Sequence, residues 1–452
     1  MLKKILFVIV LSLLPILISF AQENQIIGKT EITKWQYGKR TAISITYDDN
    51  TINQFRVAMP IMDKLGFPGT FYVITGSVPN SKYRAKFIGR PVNQIIAETA
   101  RIPTNKSNFF ERVSAVRFLG YADTYNYHRL AGSQFEKGNI QKAYNLIDDV
   151  YRRVRKGEFK PSNDSIEARK ALYDVRHSYQ GVDVVTWDQL KKYQANGHEF
   201  GSHTISHPYM VGLDSVNLMY ELQKSKAELR KHLGSQATFS AECPFGIEND
   251  RVLNYALDIY PALRNKMSEP YIYEINRGSN NNPTHSEKEY VQWHRGALSN
   301  TPMKIMKSWV DTALKKDNIW LVLVFHGVDG IGWEPLTKEE LLEYFIYIKN
   351  KEENIWVSTF KDVTKYIRER ENAKIEASKL ESDITINLTH SLKDDRYTLP
   401  LTLKTYVPNQ WGTVTIRQGN KKQKISTQTD DKGSYIIYQA YPNSETVNLT
   451  KS

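Results

Sequence analysis

Two adjacent carboxylates, Asp48 and Asp49, close the stretch "TAISITYDD", whose β-branched and apolar residues read as a buried strand. Successive strand side chains point to opposite faces, so these two do not easily share one role. One of them needs a cation or a proton nearby. A second polar cluster, "GSHTISHP", holds His203 and His207 four residues apart. If the chain turns helically there, both imidazoles reach one face, as a two-histidine metal site requires. Asp49 could then be the third ligand. Two nitrogens, one carboxylate oxygen and an open position for water make a catalytic zinc arrangement. A third element, His326, ends the apolar run "LVLVFH" and is placed to transfer protons where a strand leaves the core. A histidine pair alone is more often surface or core. Joined to the Asp pair and a strand-end histidine, it points to a metal site.

The elements that must position these groups alternate. "TAISITYDD" is followed by the amphipathic "INQFRVAMPIMDKLG", stopped at Gly66, and by the strand "GTFYVIT". The alternation resumes with the helix "TWDQLKKYQANG", Thr186 as its N-cap, the strand "HEFGSH", the long helix "LDSVNLMYELQKSKAELRKHLG" and the strand "ATFSAE". Then come the helix "PMKIMKSWVDTALKK", the strand "NIWLVLVFH", the helix "TKEELLEYFIYIKNK" and the strand "NIWVSTF". Such alternation predicts an α/β fold with a parallel sheet, most simply a barrel, with ligand sites at the carboxyl ends of the strands. Residues 22–78 and 181–372 are assigned to the barrel, and residues 79–180, basic and aromatic, to a mostly helical insertion. A charged, helix-like connector, "KYIRERENAKIEASKLES", includes a linker at 373–382. Residues 383–452, with short alternating runs, read as a C-terminal all-β sandwich.

The chain has 452 residues, 40% hydrophobic and 24% charged, enough for a large core and two or three domains. Residues 1–21 have the layout of a secretory signal peptide, Lys3 and Lys4 preceding an apolar run that ends at Ala21; an uncleaved anchor is the alternative. A secreted or periplasmic protein is expected. The single cysteine, Cys243, excludes an intrachain disulfide and should be buried. The net charge of +12, in an exported chain without a nucleic-acid motif, argues for acidic glycans or an anionic cell envelope rather than nucleic acid. Oligomeric state is not legible.

"TYDDN", "HTISH", "PFG" and "VFH", in this order, resemble motifs of the polysaccharide deacetylase family, carbohydrate esterases built on an irregular (β/α) barrel. The resemblance covers roughly residues 38–78 and 181–372. It implies a metal, zinc by preference, on Asp49, His203 and His207, with Asp48 as general base and His326 as general acid. It also implies that the Phe245 amide helps bind the oxyanion. The activity implied is metal-dependent hydrolysis of acetyl groups, N-acetyl before O-acetyl, from an acetylated glycan.

The pattern departs from the family at Glu242 in "AECPFG", where the family carries an Arg that orients the catalytic Asp. The fourth motif, an Asp-rich stretch ending in Trp, is represented at best by "YVQWHRGA". A swapped pair, Glu242 with Arg295, would keep the site neutral, and Trp293 could stack on a sugar face. Two other readings compete: a catalytically silent glycan-binding protein on the same barrel, and a hydrolase of small cyclic amides, which the signal sequence and β domain disfavour. For the terminal β domain, which has Trp411 as its one tryptophan, a structural or adhesive role is expected.

Overall fold

The computed structural model describes residues 26–121, 123–159, 184–246, 249–264, 274–275, 282–380, 382–392 and 395–452. Residues 1–21, read above as a signal peptide, and the end of the expected insertion lie outside these residues. The chain divides into two units: Met1–Ala42, Glu353–Trp356 and Asp362–Ser452 form one, and Ile43–Glu352 with Val357–Lys361 form the other.

In chain order the first strands are β1 (Thr30–Ile32), β2 (Thr41–Tyr47), β3 (Gly69–Val73), β4 (Glu199–Ser202), β5 (Ser240–Ala241) and β6 (Ala262–Leu263). There follow β7 (Glu274–Ile275), β8 (Val291–Gly296), β9 (Ile319–Phe325) and β10 (Ile355–Val357). The sheet of the larger unit runs β6-β5-β4-β3-β2-β9-β8-β7, with β10 also on β2. The pairs β2–β3, β3–β4, β4–β5, β5–β6, β7–β8 and β8–β9 are parallel. The result is an α/β fold, a curled, barrel-like parallel sheet with helices around it. Every residue of β2 and β9 is buried, as expected of central parallel strands covered on both faces. Their β-branched and aromatic residues suit that environment, and their carboxyl ends lie side by side: the Asp48 amide donates to the Phe325 carbonyl at 3.0 Å.

Local signals set the helix ends. The Thr186 and Thr337 capping boxes open helices Trp187–Ala195 and Lys338–Lys349, and Asp214 caps Ser215–Leu233. Helix Met59–Leu65 stops at Gly66, whose left-handed conformation lets its amide reach the Asp63 and Met62 carbonyls. The strand expected over "ATFSAE" is shorter than its pattern: Ser235–Thr238 form a 3₁₀ turn and two residues remain as β5. Gly234, with a left-handed φ, starts that turn directly from the preceding helix.

The insertion contributes helices Val92–Glu98, Phe109–Val116, Thr124–Glu136 and Ile140–Arg155. They bury their own core, which includes Phe109, Val113, Ala131, Ile147 and Tyr151.

The smaller unit holds β11 (Ala373–Lys379), β12 (Asp383–His390), β13 (Leu401–Tyr406), β14 (Thr413–Gln418), β15 (Lys421–Ser426), β16 (Gln428–Asp430), β17 (Gly433–Ala440) and β18 (Val447–Lys451). They form two antiparallel sheets, β1-β13-β17-β16 and β11-β12-β18-β14-β15. Two expectations are corrected here, and one strand is added. The supposed linker is β11, paired with β12 from Ala373↔His390 to Lys379↔Ile384, because "AKIEASK" alternates and its partner strand satisfies its backbone. Residues 30–32, assigned to the barrel, pair with β13 instead, a contact nearly 400 residues distant that no local pattern announces. The polar "KKQKIS" is β15, an edge strand carried by its hairpin with β14. Trp411 is buried. No helix among the described residues is long and apolar enough to cross a membrane.

Candidate active site

The adjacent carboxylates diverge because the chain turns sharply after β2. Asp49 and Asn50 both have positive φ, 73° and 44°. Asn50 pins the turn, accepting from the Ile74 amide at 2.9 Å and donating to Ser77 Oγ at 3.1 Å. Asp49 Oδ1 then lies 3.6 Å from His203 Nε2 and 3.3 Å from His207 Nε2. Asp48 faces a different set: Arg264 and, at 3.5 Å from Oδ2, His326 Nε2.

The two histidines meet through a turn, not through the helical turn expected from their spacing. Thr204 and His207 adopt left-handed φ values of 66° and 53°, which bring the rings to 4.7 Å, edge to face. Side chains replace the absent helical hydrogen bonds. Ser202 Oγ accepts from the Thr204 amide, and Thr204 Oγ1 accepts from the His207 amide. The buried Glu221, on helix Ser215–Leu233, accepts from the amides of Ile205 and Ser206 at 2.9 and 3.0 Å. The insertion joins in. Arg117 lies 3.6 Å from Glu221 and donates to Ser206, while Tyr125 Oη donates to the His207 carbonyl at 3.2 Å. His128 is buried, which with the nearby Arg117 charge pushes its pKa down to about 3. It is therefore neutral, with Nδ1 donating to the Val113 carbonyl and Nε2 accepting from the Tyr209 amide.

Opposite this turn stands an ion triad. Arg264, at the end of β6, donates to both Asp48 oxygens at 2.7 and 2.6 Å and to Thr46 Oγ1 at 2.9 Å, and its Nη2 lies 3.1 Å from Glu242. All three ionic side chains are buried. Burial alone would raise the Asp48 pKa, but the Arg264 cation, through its charge and its hydrogen bonds, holds it well below the usual carboxylate range. Burial would lower the Arg264 pKa, and Asp48 and Glu242 hold it well above its ordinary value. The proposed Glu242–Arg295 pair is thus corrected: the guanidinium that meets Glu242 is Arg264. Arg295 lies over the Trp293 ring at 4.3 Å and donates to the His294 carbonyl. An isolated arginine after the two-residue strand β6 offers little to read in sequence, where arginine is ordinarily a surface residue.

Gln54 was also not legible. It lies in the amphipathic stretch after Asp49, which starts as a π-helical turn, Gln54–Ala58, a distortion frequent at functional sites. Its buried amide donates to the carbonyls of Asp48 at 2.5 Å and His326 at 2.7 Å, tying together the ends of β2 and β9.

The donor set fits a divalent cation. The ligand atoms of Asp49, His203 and His207 all lie within 4.8 Å of one another. His203 Nδ1 is 2.9 Å from the Glu242 carbonyl, which can only accept, so the proton sits on Nδ1 and the Nε2 lone pair faces Asp49. Burial lowers the His203 pKa and favours this neutral form.

Among the remaining candidates, Phe245 stands at the site: φ is +64° in the turn Pro244–Gly246 and its ring lies 4.7 Å from that of His207. Trp293 does not offer a stacking face. It is 4% exposed, its ring covered by Arg295. The burial pattern of β8 explains this: an indole in a central strand joins the core. Cys243 is buried, as expected.

Residues 163–259 match the family model for polysaccharide deacetylase. A gellan lyase from a Bacillus species is 26% identical over 307 residues, 64% of this chain and 12% of the lyase, so the chain spans about an eighth of that relative's length. Among solved structures, the Streptococcus pyogenes deacetylase PplD in complex with acetate shares 18% identity, covering 48% of this chain and 51% of its own, at a TM-score of 0.24. A family 4 carbohydrate esterase from Bacillus anthracis shares 13%, over 77% and 92% of the two chains, at 0.32. Bacillus subtilis PdaA, of the same esterase family, shares 12%, over 74% and 83%, also at 0.32. The matched segment contains His203, His207 and Glu242, and over that segment the chain is similar to polysaccharide deacetylases.

Proposed function

We propose that this protein is an exported, metal-dependent hydrolase that removes acetyl groups, N-acetyl in preference to O-acetyl, from a polysaccharide or oligosaccharide. The observation that carries the reading is the convergence of Asp49, His203 and His207, with Asp48 and His326 beside them. Those three residues would hold the cation, zinc by its donors, which when bound polarises the acetyl carbonyl and acidifies water.

The chain's own groups do the rest. Asp48, kept ionised by Arg264, accepts the proton of the attacking water. The Phe245 amide donates to the tetrahedral oxyanion. His326, lowered in pKa by burial and neutral at rest, lies 3.5 Å from Asp48, close enough to receive that proton and pass it to the departing amine. Each proton-transfer group is worth about 10²- to 10⁴-fold in rate. Support for a glycan substrate comes from the match to the deacetylase model and from a relative named for acting on gellan.

The experiment is acetate release from N-acetylglucosamine oligomers by the purified, zinc-loaded protein. Acetate release abolished in Asp48→Asn and His326→Ala supports the reading. Zinc binding without acetate from N- or O-acetylated glycans would assign a glycan-binding role instead.

A further inference from the structure

All eight tryptophans of the chain are among the described residues, and seven are buried. The exception, Trp333, is 42% exposed and stands at the candidate active site, its ring 4.6 Å from that of His326 in an edge-to-face arrangement. Leaving an indole in water forgoes the burial of roughly 150–250 Å² of mostly apolar surface, so its position calls for a reason beyond stability.

The loop that carries it is built, not slack. The Gly327 amide donates to the Trp333 carbonyl at 2.8 Å, and the Asp329 amide to the Leu336 carbonyl at 2.8 Å. Asn53 Nδ2, beside the π-helical turn, donates to the Val328 carbonyl at 3.1 Å. Next to the tryptophan, the Glu334 carboxylate accepts from the Ser299 amide at 3.0 Å and from its hydroxyl. Gly327 and Gly332 approach so closely that a Cβ on Gly332 would lie 2.7 Å from the Gly327 Cα. A glycine is required there, and the tight crossing holds the indole beside His326.

We propose that Trp333 is the sugar platform of this site: its exposed face stacks on the C–H face of a pyranose in the glycan, adjacent to the acetylated position presented to His326. The proposal rests on the deacetylase reading for the identity of the ligand. Aromatic rings suit the task because a pyranose presents apolar C–H groups on one face while its hydroxyls stay in solvent. The arrangement leaves the acetyl group to the Asp49, His203 and His207 side, where Phe245 lies against His207, and gives the ring to the His326 side.

The test is calorimetric titration of the full-length protein, its metal chelated to halt turnover, with an N-acetylglucosamine tetramer. Trp333→Ala is expected to weaken Kd about tenfold, with Trp333→Phe recovering most of it. In zinc-loaded protein, Trp333→Ala should raise KM for the tetramer by far more than it changes hydrolysis of p-nitrophenyl acetate, since that probe has no sugar to stack. An unchanged Kd in Trp333→Ala, no tetramer binding by the wild type, or an equal loss on both acetyl probes would overturn the platform. Tetramer binding that depends on Trp333, without acetate release by the zinc-loaded wild type, would sink the deacetylase reading and leave the platform standing.

Discussion

Arg264 grips Asp48 through two parallel contacts, Nη1 to Oδ1 at 2.7 Å and Nη2 to Oδ2 at 2.6 Å, and shares the second nitrogen with Glu242 at 3.1 Å. A planar fork matches a carboxylate in this way and a lysine ammonium does not. Glu242 and the arginine that supplies a cation to Asp48 therefore directly follow adjacent strands of one sheet, β5 and β6.

Removal of that cation should be severe. Arg264→Met leaves two carboxylates buried without it and should destabilise the protein by about 3–5 kcal/mol in chemical denaturation. Arg264→Lys should fold but lower kcat by roughly 10- to 100-fold, since Asp48 loses its orientation. Glu242→Gln should be milder on both measures, because the bidentate contact to Asp48 survives. The reverse ranking of Arg264→Lys and Glu242→Gln would contradict this division of labour.

Gln54 carries a separate expectation. Substitution by Ala strips the side-chain donor from the Asp48 and His326 carbonyls, and an unsatisfied buried acceptor costs about 1–3 kcal/mol. The variant should bind zinc with unchanged stoichiometry yet turn over more slowly, because the two proton-transfer residues lose their common brace. Unchanged kcat in a folded Gln54→Ala protein would show that the bridge has no part in turnover.

The histidine turn depends on Glu221. Glu221→Ala removes the acceptor of the Ile205 and Ser206 amides and leaves Arg117 without its carboxylate. A loss of zinc affinity of about 10- to 100-fold is expected, as for other groups that orient metal ligands. Glu221→Gln, which keeps one oxygen acceptor, should recover much of it. Zinc titration with a competing chelator measures both.

In the smaller unit, Glu369 provides a pH signature. Burial raises its pKa to about 7 from an ordinary 4.5, only partly opposed by the Leu399 amide, which donates to Oε1 at 3.1 Å. Between these values the folded chain holds a proton that the unfolded chain has lost. The associated stability is complete below pH 4.5 and disappears as pH rises through 7. Glu369→Gln should therefore match the wild type near pH 4.5 and exceed it above pH 7 by roughly 3–3.5 kcal/mol, at about 1.4 kcal/mol per pKa unit. Parallel denaturation curves for the two proteins at both pH values would count against it.

Asp48, Asp49 and His326 were legible because they follow runs of apolar residues, where a parallel strand must emerge into a ligand site, and His203 and His207 because they stand four apart in a polar cluster that ends another strand. Their convergence was legible; its means was not. The i, i+4 spacing of the histidines suggested a helical turn, but left-handed Thr204 and His207 do the work, held by Glu221 from a helix that starts eight residues after His207. Arg264 and Gln54 escaped notice because a polar residue recruited into a core across a sheet carries no local mark. The two tryptophans changed places for a related reason: Trp293 lies within a strand, where burial wins, and Trp333 lies in a glycine-rich loop, where it stays open. The strand β1 was hidden because its partner β13 lies far along the chain, and β11 because its alternating "AKIEASK" runs on directly from the charged helix Phe360–Glu371.

The most direct test of the account is zinc binding by the full-length protein, read by calorimetry and by the zinc-edge absorption spectrum. One zinc per chain is expected, with two imidazole nitrogens and a carboxylate oxygen at about 2.0–2.2 Å, and binding abolished in Asp49→Ala, His203→Ala and His207→Ala alike. Failure to bind zinc, or a site indifferent to those three substitutions, would contradict it.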